Sequence, residues 1–277
     1  MTDTFFPNQP SRLLEQERRF RKIAEGLPES ERYSLYSVLS ACVDSFAATE
    51  FHLEPDMAVA SQAGREIAFP RPIPMVKLAI LAFGYEEWLA RKYALPGFVE
   101  VERGDVVVDC GAYVGGFSLA AAGQARRLFA FEPDKDNAAC ARRNLAGHQN
   151  AEVVEAGLYD RSDELILNRS ANSVEHSLLR PDDGSIVERR KIPVVSLADF
   201  ARSRRIEAFD FVKIEAEGVE LEVFDGLEDM RPRKLAIDVS PERDGQSPAA
   251  QFRARLEPMG YEVHQRKQVM FARMRPE

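Results

Sequence analysis

The stretch from Val106 to Ala122 reads VVVDCGAYVGGFSLAAA, and its interpretation decides the fold. Val106, Val107 and Val108 are β-branched and apolar, which predicts a buried strand ending at Asp109. Gly111 and Gly115 follow, four apart. Glycine at those places lets the backbone turn sharply and lets a ligand approach closely. From Phe117 to Ala125 the pattern becomes helical.

The same alternation continues downstream. Apolar runs at Arg127–Glu132, Glu152–Leu158, Phe209–Glu215 and Lys234–Val239 read as strands, with Asp105–Asp109 as the first. Between them Asn137–Leu145, Leu197–Arg204, Val219–Gly226 and Ala249–Leu256 read as helices. Repeated βαβ units predict an α/β domain with a Rossmann-like, doubly wound, mostly parallel sheet. Tyr261–Gln265 and Gln268–Arg273 add a C-terminal antiparallel hairpin turning at Arg266-Lys267. Upstream, Leu35, Val38, Leu39, Cys42, Val43 and Phe46 line one side of a helix, and Gly26-Leu27-Pro28 ends an earlier one that Ser11 would cap. Pro70, Pro72 and Pro74 exclude a helix interior, and a further helix runs from Met75 to Tyr93 before Pro96-Gly97 breaks the chain. The expectation is a helical N-terminal region over residues 1–96, capping the acceptor side, and a Rossmann-like domain over 97–277.

The 277 residues suffice for a full core, and 45% apolar with 30% charged residues is an ordinary soluble composition. The net charge of −8 argues against nucleic acid as the partner, since neutralising a phosphate backbone needs a local surplus of Lys and Arg. The three cysteines, Cys42, Cys110 and Cys140, lack metal-ligand spacing and read as reduced thiols. The N-terminus lacks a secretory pattern, and the most apolar run, Leu78 to Phe83, is too short to cross a bilayer. A cytoplasmic protein without membrane insertion is expected; homo-oligomerisation stays open.

Doubly wound sheets bind ligands beyond the carboxyl ends of their strands, where strand order reverses. The second strand ends Phe131-Glu132-Pro133, placing an acid roughly 20 residues after the first glycine, where adenosine ribose hydroxyls are held. A dinucleotide site wants G-x-G-x-x-G, but here Ala112 and Tyr113 follow Gly111, and there is no G-x-x-x-x-G-K-[ST] loop. An adenosine ligand without phosphates fits, of which S-adenosylmethionine is the common one. A nucleotide-dependent oxidoreductase and a non-catalytic adenosine-binding scaffold are the alternatives.

Taken together, VVVDCGAYVGGFS, FAFEPD, AEVVEAGLYD and FDFVKIEAEGVELEVFDGL resemble the FkbM family of S-adenosylmethionine-dependent methyltransferases. The resemblance implies methyl transfer to a hydroxyl oxygen of a sugar or other small-molecule, natural-product acceptor. It implies that Asp109, Gly111, Ala112, Tyr113 and Gly115 line the methionine end of the cofactor and that Glu132 and Pro133 meet the ribose. Ala156, Gly157 and Leu158 would border the adenine, with Asp160 a secondary candidate. The family usually has Asn where Tyr113 stands. Its K-I-D-x-E-G motif here reads Lys213-Ile214-Glu215-Ala216-Glu217-Gly218.

Unpaired charges do not belong in a buried central strand, so those ending it form a structural ion pair or serve the chemistry. Lys213, Glu215 and Glu217 share strand parity, which predicts one charged side at the rim, with Glu215 or Glu217 as a general base and Lys213 holding the pair ionised. His176 lies in a polar insertion that the resemblance places near the acceptor. A divalent metal on Asp238 and Glu215 is chemically open but not expected.

Overall fold

The computed structural model describes residues 11–24, 26–43, 46–170, 178 and 186–275. The chain divides into two compact units, one ending at Trp88 and one beginning at Leu89.

In the second unit the alternation becomes β4 (Val106–Cys110), α5 (Gly116–Ala122), β5 (Arg127–Phe131), α6 (Lys135–Leu145) and β6 (Ala151–Val154). After a small sheet come α7 (Leu197–Arg204), β10 (Phe211–Ile214), α8 (Glu220–Asp225), β11 (Lys234–Asp238), α9 (Ala249–Leu256), β12 (Tyr261–Arg266) and β13 (Val269–Met274). The strands form a seven-stranded sheet in the order β12-β13-β11-β10-β4-β5-β6. β11, β10, β4, β5 and β6 are parallel, and β13 and β12 pair antiparallel at one edge. Strand order therefore reverses between β4 and β10, the place where doubly wound sheets in general bind their ligands. All five residues of β4 and all four of β10 are buried, as a central parallel sheet covered on both faces requires. Phe129 and Phe131 meet Phe200 of α7 edge-on at 5.1 and 4.9 Å, and Phe211 stacks on Phe117 of α5 at 5.7 Å.

The expected strand Glu152–Leu158 is two strands in two sheets. Ala156 donates its N–H back to the carbonyl of Val154 at 2.9 Å, ending β6. Gly157–Leu158, β7, then joins a separate three-stranded sheet, β7-β9-β8, with β8 (Asp163–Ser170) and β9 (Ile186–Val195). β9 was not expected: its run of Glu188, Arg189, Arg190 and Lys191 reads as a solvated surface, and only its last residues alternate in burial.

The N-terminal unit contains the expected helices, α1 (Ser11–Ala24), α2 (Glu29–Cys42) and α3 (Met75–Leu81). The long helix expected from Met75 stops at Leu81, and α4 (Tyr85–Lys92) restarts after Gly84, whose φ is +78°. The region is not wholly helical. An antiparallel meander, β1 (Glu50–Leu53), β2 (Met57–Gln62) and β3 (Arg65–Pro70), stands between α2 and α3. Ala63 and Gly64, both at positive φ, make the two-residue turn that matches strand twist. That sheet also changes which face of α2 is buried: Tyr33 and Tyr36 pack against Phe51 at 4.8 and 5.7 Å, whereas Val38 is 63% exposed.

Phe211→Ala should lower the free energy of unfolding by about 3–5 kcal/mol in chemical denaturation, since it opens a cavity in the central strand. Val187→Ala, at an exposed position of β9, should change it by no more than about 0.5 kcal/mol.

Candidate functional site

The loop after β4 is shaped by its own backbone. Gly111 has φ +70°, and a Cβ there would lie 1.9 Å from the carbonyl oxygen of Glu215, so only glycine fits. Gly111 and Ala112 both donate their N–H groups to the carbonyl of Phe131, at 3.1 and 2.9 Å, and Gly115 donates to Ala112 at 2.8 Å. Tyr113 donates its N–H to Glu132 Oε2 at 2.8 Å. These N–H groups are spent within the fold, whereas a pyrophosphate loop must aim such donors at its ligand. Tyr113 sits at φ +52°, a conformation that Asn adopts more easily than a bulky side chain.

Glu132 follows β5 and is 5% exposed. Its Oε1 accepts from the N–H of Asp134 at 2.9 Å and from Asn137 Nδ2 at 3.3 Å. Burial pushes its carboxyl up to about 8, with the Asp134 charge adding to the rise, while the Asp134 and Tyr113 N–H groups pull against it. A carboxylate has about four acceptor sites; three meet the N–H groups of Tyr113, Asp134 and Asn137, which leaves one for a ribose hydroxyl. The arrangement fits an adenosine ligand without phosphates. Asp134 itself caps α6, accepting from the N–H groups of Asp136 and Asn137.

Across the strand ends runs a chain of alternating charges. Asp109 is fully buried, with Ser118 Oγ donating to Oδ2 at 2.7 Å and Lys213 Nζ at 2.9 Å from Oδ1. Lys213 also donates to the carbonyls of Cys110 at 3.0 Å and Gly111 at 2.9 Å, and lies 3.2 Å from Glu215. Lys92, the last residue of α4, lies 2.7 Å from Glu215 and 3.0 Å from Asp238. Burial works against the charge of both lysines, but their acidic neighbours outweigh it and hold both ammoniums well above the usual lysine range. The ammonium that Asp109 meets is thus one of the chain's own.

Expectation and structure part at Glu217. Strand parity does not reach it, because β10 ends at Ile214 and Glu217 adopts φ +49°. The cation expected to serve Glu215 and Glu217 lies against Asp109 and Glu215. Glu220, which carried no signal in the sequence, organises the turn by accepting the N–H groups of Ala216 at 2.8 Å and Gly218 at 3.1 Å. Beside it, burial and the charges of Glu217, Glu220, Asp238 and Glu215 push the Glu242 carboxyl up to about 11. Lys92 was also missed, since a lysine in a last helical turn reads as a helix-dipole partner.

Pro133 and Gly157 approach each other: a Cβ on Gly157 would lie 3.8 Å from Pro133 Cβ. Ala156 and Leu158 are buried beside it in sequence, 7% and 3% exposed. Asp160 is engaged by Arg161 at 2.8 Å. His176 lies outside the described residues. Among the described residues no three His, Cys, Asp or Glu side chains are arranged to hold a metal, and no helix is long and apolar enough to cross a membrane.

Lys213→Met should destabilise the protein by about 3–5 kcal/mol in urea titration, because it strands the buried Asp109 charge. Adding Asp109→Asn to that variant should recover part of the loss.

Residues 109–275 match the family described as the Methyltransferase FkbM domain. No curated protein matches the chain. Among solved structures it is similar to methyltransferase FkbM from Methylobacillus flagellatus KT, with 16% identity and a TM-score of 0.46 over 95% of this chain and 60% of that one. It is similar to M. jannaschii TYW2 in complex with AdoMet, with 12% identity and a TM-score of 0.42 over 80% of this chain and 85% of that one. A third is an rRNA methylase from Streptococcus thermophilus, with 14% identity and a TM-score of 0.40 over 69% and 94%. The chain spans 60% of the length of the first of these. Because the family match takes in more than half of the chain, including the β4 loop, Glu132 and the charged end of β10, this protein belongs to the FkbM methyltransferase domain family.

Proposed function

We propose that the protein uses S-adenosylmethionine to methylate a hydroxyl oxygen on a small-molecule acceptor, a sugar hydroxyl being the expected class. The observation that carries the reading is the loop whose N–H groups are spent on Phe131, Ala112 and Glu132, next to a buried acid. The N–H groups of Gly111, Ala112, Tyr113 and Gly115 are thereby withheld from a phosphate, which supports an adenosine ligand without phosphates.

When bound, the cofactor supplies a methyl group activated by a sulfonium. Glu132 and Pro133 meet the ribose; Gly111, Ala112, Tyr113 and Gly115 border the amino-acid end. Ala156, Gly157 and Leu158 border the adenine. Asp109 acts behind the loop, holding it through Ser118 and Lys213. An acceptor hydroxyl would have to give up its proton, and the acids at the rim are the groups of this chain that would hold or take it. Glu215 is bracketed by Lys92 and Lys213, so it positions the rim. Glu217, on the turn beyond Ala216, is the acid proposed to take the proton. Alignment of the reacting atoms supplies about 7–11 kcal/mol of the barrier, and a general base on the order of 10²–10⁴ in rate.

Mass spectrometry of the protein as purified should reveal retained S-adenosylmethionine or S-adenosylhomocysteine, and Glu132→Ala should abolish its uptake. A nicotinamide or flavin in its place would point to an oxidoreductase. With an acceptor in hand, Glu217→Gln should lower kcat by a factor on the order of 10²–10⁴; unchanged turnover would remove its role as base.

Binding should also depend on pH. The free Glu132 carboxyl is protonated below about 8, and ribose hydroxyls favour the ionised form, so uptake expels a proton there. Calorimetry from pH 8 down to 6 should show affinity falling by up to about tenfold per unit. Glu132→Gln should flatten that profile.

A further inference from the structure

Lys92 stands ahead of residues 109–275, the part that matches the family, yet its ammonium lies between two acids at the site's rim. Glu215 and Asp238 occupy neighbouring places because β10 and β11 are parallel with Ile214 opposite Ile237. Glu215 Oε1 is 2.7 Å and Asp238 Oδ2 3.0 Å from Lys92 Nζ. Glu215 turns its other oxygen to Lys213, and Asp238 Oδ1 accepts from Ser240 N–H at 2.8 Å and from the Ser240 hydroxyl.

Paired carboxylate oxygens at adjacent strand ends are hard ligands of the kind that hold magnesium or manganese. Glu242 stands near enough to interact with both acids, and Glu220 with Asp238. Without Lys92, this acidic rim would keep Lys213, which already serves Asp109. The lysine is also fixed in place. Its ammonium lies 4.7 Å from the centre of the Tyr93 ring, and Arg266 Nη2 donates to the carbonyls of Arg91 at 2.5 Å and Lys92 at 3.2 Å.

We propose that Lys92 is a built-in cation that occupies the place of a divalent metal between Glu215 and Asp238, so that the native protein closes this position to metal ions. The inference is independent of the methyl-transfer reading, and its readout needs neither cofactor nor acceptor.

Manganese binding, followed by the loss of the free-ion electron paramagnetic resonance signal, tests it. The native protein should bind no stoichiometric Mn²⁺ up to about millimolar, the weak end of biological cation sites. Lys92→Ala should bind one Mn²⁺ at least tenfold more tightly than the native chain. Adding Asp238→Asn should remove that gain, and Lys92→Arg should keep the position closed. Should Lys92→Ala fail to fold, Lys92→Met preserves the side-chain volume while removing the charge. The inference is overturned if the native protein itself binds one Mn²⁺ that Asp238→Asn abolishes. It is equally overturned if a folded Lys92→Ala or Lys92→Met variant binds no more Mn²⁺ than the native protein.

Discussion

A lysine ammonium that is almost wholly buried must be met by acceptors on every side, and Lys213 meets this demand at the point where the sheet reverses its strand order. It draws Asp109, the carbonyls of Cys110 and Gly111, and Glu215 around one nitrogen. That requirement brings the exit of β4 and the exit of β10 together. Gly111 can carry no side chain because the Glu215 carbonyl then occupies its Cβ position. The loop, so pinned, closes onto Phe131 and Glu132 through its own N–H groups.

Burial has different consequences for the two acids on either side of that loop. Asp109 meets an ammonium and a serine hydroxyl. Glu132 meets the N–H groups of Tyr113 and Asp134 and the amide of Asn137, with the Asp134 charge close by, and its carboxyl rises. Asp134 is in turn satisfied from outside the main sheet, by Arg169 of β8 at 2.7 Å. The result is an acid paired with a cation on one side and, on the other, an acid held by N–H donors with its carboxyl pushed up by burial.

The doubly wound sheet was legible because its elements carry strong local signals. Parallel strands buried on both faces must be apolar throughout, and VVV, FAF and FDFV announce them. The acid at Glu132 was legible because its place at a strand end follows from chain order. The meander at Glu50–Pro70 was not: β1 has exposed and half-buried positions only, and MAVASQ alternates weakly. The buried face of α2 was misread for the same reason, since the tyrosines have their partner in that sheet. The continuous reading of Glu152–Leu158 failed because a backbone bond from Ala156 to Val154, which side-chain types do not reveal, divides it.

The sequence by itself determined the parallel sheet, the glycine-bearing loop, the acid that follows β5 and the family. Each of these is written in residues close together in the chain, where periodicity and backbone freedom act locally. Only the tertiary structure decided which charges pair. Lys92 reaches Glu215 across the fold, and Lys213 reaches Asp109 from another strand. Glu217 leaves the strand face because β10 stops at Ile214. Coulombic partners are chosen by distance in space, and distance in space is fixed only when the strands are in register.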